Sequence, residues 1–247
     1  MKHRCYIFDL DGTIYFGDTL ADNANAVILR ARQNSDAIFF VTNNSAKSRN
    51  EIYKKLLKMG IDVKLEEVIT SGYAIVMYLT TNNLRNVYCI GTYSLKEELR
   101  NNGIEFSNDN IENIVVGYNK DFKLDDLTEL LNLNVSKNVK LIVANKERKY
   151  PSKNKQILAG AGPIVSAVEC ALNKPTDVII GKPNRIMLEI ILKDFNFEPN
   201  EVCVIGDSLD SDVKMAQLYG ADSILITEQC YDNIKTIKKL EELLEII

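Results

Sequence analysis

The chain has 247 residues, 46% of them apolar and 26% charged, and a formal net charge of −4. That balance suits an ordinary soluble globular protein of one large or two smaller domains, and the acidic total argues against a broad nucleic-acid footprint. No apolar stretch approaches the roughly 20 residues that span a bilayer, so no membrane partner is expected. The N-terminus enters a strand-like run at once and lacks the apolar core of a signal peptide. The five cysteines, Cys5, Cys89, Cys170, Cys203 and Cys230, are scattered and odd in number. They read as reduced thiols of a cytoplasmic protein, not as a metal or disulfide frame. His3 is the only histidine, which removes Ser-His-Asp, Cys-His and multi-histidine metal chemistry.

In chain order, short β-branched or aromatic runs alternate with helical patterns, the signature of βαβ units around a parallel sheet. The first run, 5–10, breaks at Asp9-Leu10-Asp11-Gly12-Thr13, two carboxylates one residue apart beside a glycine turn. A helical pattern over 25–33 leads to a strand over 37–42 that ends in Thr42-Asn43-Asn44. A helix over 48–59, closed by Gly60, precedes strand-like runs at 67–70, 86–90, 114–117 and 140–143, with a further helix over 124–133. A strand over 178–180 then runs into Gly181-Lys182-Pro183 and a helix over 185–194. The strands 202–205 and 223–226 flank Gly206-Asp207, Asp210 and a helix over 212–218 that ends at Gly220. Residues 240–244 read as an amphipathic closing helix.

Ligands of open α/β sheets sit at the carboxyl ends of strands, and these four clusters can converge at one edge of a single parallel sheet. The long stretch between the second and third clusters carries its own strand and helix pattern. It predicts an inserted α/β domain over 81–178, with 1–80 and 179–247 forming the first. Taken alone, Asp9 and Asp11 read as an acidic turn or an incomplete calcium loop, Thr42-Asn43-Asn44 as a polar turn before a helix cap, Gly181-Lys182-Pro183 as a turn with a solvated lysine, and Gly206-Asp207 with Asp210 and Asp212 as N-capping carboxylates. In the order carboxylate pair, threonine, lysine, carboxylate pair, they meet the separate needs of phosphoryl transfer. Asp9 can accept a phosphoryl group as nucleophile. Oxygens of Asp9 and Asp207 make a hard site suited to Mg²⁺. Lys182, the Thr42 hydroxyl and the Asn43 backbone N–H can stabilise phosphoryl oxygens. Asp11 can protonate the leaving oxygen and later take a proton from water. Asp212 either caps a helix or stands behind the first ligands, holding Lys182 or a metal-bound water.

Taken together, these motifs resemble those of the haloacid dehalogenase superfamily phosphatases. The Thr-Asn-Asn and Gly-Lys-Pro forms, the long insert, and Val115-Val116-Gly117, Asn145 and Gly160-Ala161-Gly162 within it resemble the NagD-like branch. The resemblance implies an α/β fold, with a Rossmann-like parallel-sheet core carrying an inserted α/β cap that governs specificity. It also implies Mg²⁺-dependent hydrolysis of a small phosphorylated metabolite by a monomer or homodimer, with p-nitrophenyl phosphate as a surrogate substrate. By the same resemblance Asp9 is the nucleophile and Asp11 the acid/base, its backbone carbonyl joining Asp9 and Asp207 around the metal. Asn44 then lies on the substrate side. The chain departs from the branch at Gly117-Tyr118-Asn119, Asn145-Lys146-Glu147 and Thr227-Glu228, so no individual substrate carries over. The competing reading is a relict binding protein of the same fold without turnover. A receiver domain is about half this length, and a phosphomutase usually carries its cap between the first two motifs.

Overall fold

Cys5–Asp9 is buried along its whole length, with no alternation of polar and apolar faces. A strand of that kind belongs inside a parallel sheet covered on both faces. The computed structural model describes residues 3–151 and 156–247. In chain order it begins with β1 (Cys5–Asp9), the short pair β2 (Tyr15–Phe16) and β3 (Thr19–Leu20), α1 (Ala24–Asn34), β4 (Ala37–Thr42), α2 (Arg49–Lys58) and β5 (Val68–Thr70). There follow α3 (Ser71–Thr81), β6 (Val87–Ile90), α4 (Tyr93–Asn101), β7 (Ile111–Val116), α5 (Leu124–Leu131), β8 (Val135–Val143), β9 (Lys149–Pro151), β10 (Ile157–Ala159) and α6 (Ala161–Leu172). The remainder is β11 (Val178–Ile179), α7 (Ile186–Leu192), β12 (Val202–Gly206), α8 (Lys214–Tyr219), β13 (Asp222–Ile226) and β14 (Lys235–Ile237).

The chain divides into two compact units. The first takes the chain through Thr42, then Asn50–Ile69 and Lys182–Ile247. Its six-stranded sheet has the order β14-β13-β12-β1-β4-β5, and β1 pairs in parallel with both β12 and β4. The strand order reverses beside β1, because the chain moves first to β4 and later to β12. That switch point opens a crevice at the carboxyl ends of the strands. Register sets what lies there: Asp9 is opposite Val41 and Phe8 opposite Ile205, so Asp9, Thr42 and Asp207 emerge together. Beneath them Tyr6, Phe8, Ile14, Tyr15, Phe40 and Ile205 belong to one apolar core.

The second unit comprises Asn43–Arg49 and Thr70–Gly181, against the 81–178 expected for the insert. Its four-stranded sheet has the order β11-β8-β7-β6, and every neighbouring pair is parallel. Ile114, Val116, Leu141, Val143, Val165 and Val168 share its core. The antiparallel pair β9 and β10 stands apart from that sheet.

Three expectations need correction. The strand before Lys182 does not join the first sheet: Val178 and Ile179 pair with Ile142 and Val143 of β8. A two-residue apolar strand fits either sheet equally, and here the Asp177 carboxylate accepting from Leu141 N–H at 2.7 Å ties it to β8. The helix expected from Asp212 begins with a π-helical turn over Leu209–Val213, and α8 follows only from Lys214. The closing segment is a 3₁₀ helix, Leu240–Glu245, whose buried Leu240 and Leu243 are three residues apart, the period of that helix. No helix among the described residues is long and apolar enough to cross a membrane.

Candidate active site

Asp9 ends β1 as a buried carboxylate, 6% exposed. A lone charge there would be costly. Its partner is Lys182, only 4% exposed, whose Nζ donates to Asp9 Oδ1 and, at 2.6 Å, to Asp212 Oδ1. Asp212 is itself buried, and its Oδ2 accepts from Ser208 N–H at 3.1 Å. The π-helical turn therefore serves to aim Asp212 back at the lysine, as such turns often do at functional sites. Both oxygens of Asp212 are engaged, one by Lys182 and the other by Ser208 N–H.

Oxygens of Asp9, Asp207 and Asp212 lie within 4.8 Å of one another. Burial raises the Asp9 carboxyl well above its ordinary range; Lys182 opposes that, while Asp212 and Asp207 add repulsion. Asp207 reaches solvent, yet desolvation and the neighbouring Asp212 push its carboxyl up to about 6. Burial disfavours a charged Lys182, but Asp212 and Asp9 more than compensate and raise it above its ordinary value. Three carboxyl groups gathered around one lysine offer hard oxygen donors, the donor set that suits Mg²⁺. Gly12 keeps the approach open: φ is +95°, and a Cβ there would fall 2.2 Å from Asp207 Oδ2. The residues present fit the ion.

Asp11 is exposed beyond the end of β1, and Thr42 is buried at the end of β4. Asn43 and Asn44 belong to the second unit. The Asn43 carboxamide donates to Glu147 Oε1 at 2.7 Å, and its carbonyl accepts from Ser71 Oγ and Asn145 Nδ2, both at 2.8 Å. Asn44 Oδ1 accepts from the N–H groups of Ala46 and Lys47 at 2.9 and 3.1 Å, which shapes the turn before α2. The expected cluster Asp9, Lys182, Asp207 and Asp212 is thus assembled within the first unit. Sequence reading missed Tyr15, whose hydroxyl donates to Asp11 Oδ2 at 3.2 Å. Its place in the apolar run Ile14-Tyr15-Phe16 marks it as core, and only its spacing of four from Asp11 hints at more.

A profile of haloacid dehalogenase-like hydrolases matches residues 6–105, and a second, HAD-hydrolase-like, profile matches residues 179–239. The acid sugar phosphatase of Staphylococcus epidermidis is 33% identical over 91% of this chain and 86% of its own length. The solved 4-nitrophenylphosphatase of Thermotoga maritima superposes with a TM-score of 0.88 at 27% identity, covering 99% of this chain and 97% of that one. A structure assigned as a NagD protein does so with a TM-score of 0.90 at 26% identity, over 100% and 99% of the two chains. The chain belongs to the haloacid dehalogenase-like hydrolases and, among them, to the NagD-like phosphatases.

Proposed function

We propose that the chain hydrolyses phosphomonoesters of small metabolites through an aspartyl phosphate formed on Asp9. The observation that carries this reading is the buried Asp9 carboxylate fixed by Lys182 beside Asp207 and Asp212. In the first half-reaction an Asp9 oxygen attacks phosphorus as the ester P–O bond breaks. The bonding pair stays on the leaving oxygen, which takes a proton from the Asp11 carboxyl. In the second, water attacks phosphorus, its proton passes to Asp11, and the P–O bond to Asp9 breaks with its pair returning to the carboxylate. Lys182, the Thr42 hydroxyl and the Asn43 N–H would stabilise the phosphoryl oxygens, on which charge grows in the transition state. Asp9 and Asp207, with the Asp11 backbone carbonyl, would hold Mg²⁺, and the bound ion supplies Lewis-acid polarisation and screens carboxylate from phosphate. Asp212 stands behind them, orienting Lys182.

Substrate selection falls to the second unit as an inserted cap, with Asn44 on the substrate side. Names among the relatives, acid sugar phosphatase and 4-nitrophenylphosphatase, put sugar phosphates and p-nitrophenyl phosphate first among compounds to try. The scattered free cysteines favour a cytoplasmic setting. The test is phosphate release from phosphorylated metabolites and p-nitrophenyl phosphate, with Mg²⁺ and with EDTA, beside Asp9→Asn. Turnover that needs Mg²⁺ and disappears in Asp9→Asn supports the reading. Folded, Mg²⁺-bound protein that releases phosphate from nothing overturns it.

A further inference from the structure

We infer that Tyr15 is the positioning residue for Asp11, holding one carboxyl oxygen so that the other is presented to the reacting groups. This rests on the reading of Asp11 as the proton donor and acceptor. Asp11 is exposed, and exposed side chains exchange rotamers within nanoseconds. A proton donor that wanders loses much of the advantage of being in the site. The Tyr15 hydroxyl donates to Asp11 Oδ2 at 3.2 Å and so leaves Oδ1 as the oxygen that carries the proton.

What makes the tether stiff is the burial of its other end. Tyr15 is wholly buried in the core of the first unit, so its ring cannot follow the motion of Asp11. Its main chain is equally fixed: Ile14 and Tyr15 N–H both donate to the Leu10 carbonyl, at 3.0 and 3.1 Å, and Gly12 N–H donates to the Tyr15 carbonyl at 2.9 Å. The five-residue loop from Asp11 to Tyr15 thus closes on itself, with the phenol spanning it. Lys55 Nζ stands 3.4 Å from the ring centroid, a cation–π contact that presses on the ring face.

A tether of this kind has a kinetic signature that a packing role lacks. An alkoxide leaving group needs its proton as the P–O bond breaks, whereas p-nitrophenolate leaves without one. The experiment is rapid-quench measurement of phosphoenzyme formation with Mg²⁺, from p-nitrophenyl phosphate and from whichever alkyl phosphate the wild type turns over best. Tyr15→Phe, which keeps the ring and the Lys55 contact, runs beside Asp11→Asn, with thermal melts confirming that both fold. The expected result for Tyr15→Phe is phosphoenzyme formation slowed about 10- to 100-fold with the alkyl ester and at most about 3-fold with p-nitrophenyl phosphate. Equal factors for both esters, or no change in either, overturn the assignment of Tyr15 while Asp11→Asn still discriminates between them. If Asp11→Asn slows both esters equally, the acid/base reading of Asp11 falls, and the role of Tyr15 falls with it.

Discussion

Gly206 and Asp212 approach so closely that no side chain fits between them: a Cβ on Gly206 would lie 2.2 Å from Asp212 Oδ2 and 2.3 Å from its Cγ. Asp212 cannot step aside, because it is buried and bonded to both Lys182 and Ser208 N–H. Gly206→Ala should therefore lower kcat by about 100-fold, the scale of a displaced catalytic group. Overpacking should also cost about 1–3 kcal/mol of stability. Steady-state kinetics and a urea melt read the two effects. Wild-type turnover in this variant would mean that the position of Asp212 does not matter to the reaction.

Removing the lysine exposes what it offsets. Lys182→Met leaves Asp9 and Asp212 buried without their shared cation. Breaking a buried pair from one side costs about 3–5 kcal/mol, so the urea midpoint should fall steeply and turnover should drop to the level of Asp9→Asn. A variant as stable as the wild type would contradict the ion-pair account.

Mg²⁺ should raise the melting temperature, since a ligand that binds only the folded state stabilises it, by about 2.7 kcal/mol at 100 times its Kd. EDTA should reverse the shift. Asp207→Asn replaces a carboxylate donor by a neutral amide oxygen and should need far more Mg²⁺ for the same shift, followed by calorimetry. An identical Mg²⁺ response in Asp207→Asn would remove Asp207 from the metal site.

The second unit carries its own pH signature. Lys146 Nζ and the Thr176 hydroxyl and N–H all donate to Glu169 Oε1. The Lys146 hydrogen bond is the largest influence holding its carboxyl down at about 2, against an ordinary 4.5. A carboxyl lowered in the folded state contributes stability that is complete above its unfolded value and lost as pH falls through the folded one. Stability should therefore decline between about pH 5 and pH 2, and Glu169→Gln should flatten that part of the profile in acid melts. An unchanged slope in the variant would assign the acid sensitivity to other groups.

The central strands could be read from sequence because each is a continuous β-branched or aromatic run cut off by polar residues, as at Phe8-Asp9 and Val41-Thr42-Asn43. Burial on both faces leaves such runs little alternative. The destination of Val178–Ile179 was illegible for the opposite reason: two apolar residues fit either sheet, and it is flanking bonds that decide, Asp177 to Leu141 and Ile180 and Gly181 N–H to the Val143 and Ala144 carbonyls. The π-helical turn at Leu209–Val213 was hidden because the partner of its Asp212 carboxylate, Lys182, lies elsewhere in the chain. Tyr15 was hidden by its own hydrophobicity, since burial of the ring is what the apolar pattern reports. The hydroxyl at its tip reports nothing in sequence.

The division of the chain has a consequence for modular exchange. Two of its boundaries fall between Thr42 and Asn43 and between Gly181 and Lys182, each beside a residue proposed to hold the phosphate. The second unit is therefore not a detachable accessory joined through inert linkers. A chimera that imports another cap at these seams must preserve both peptide bonds and the residues on each side of them. Seams cut a few residues further out would keep the reaction chemistry on the host side, and cap swaps in this branch should succeed or fail by that rule.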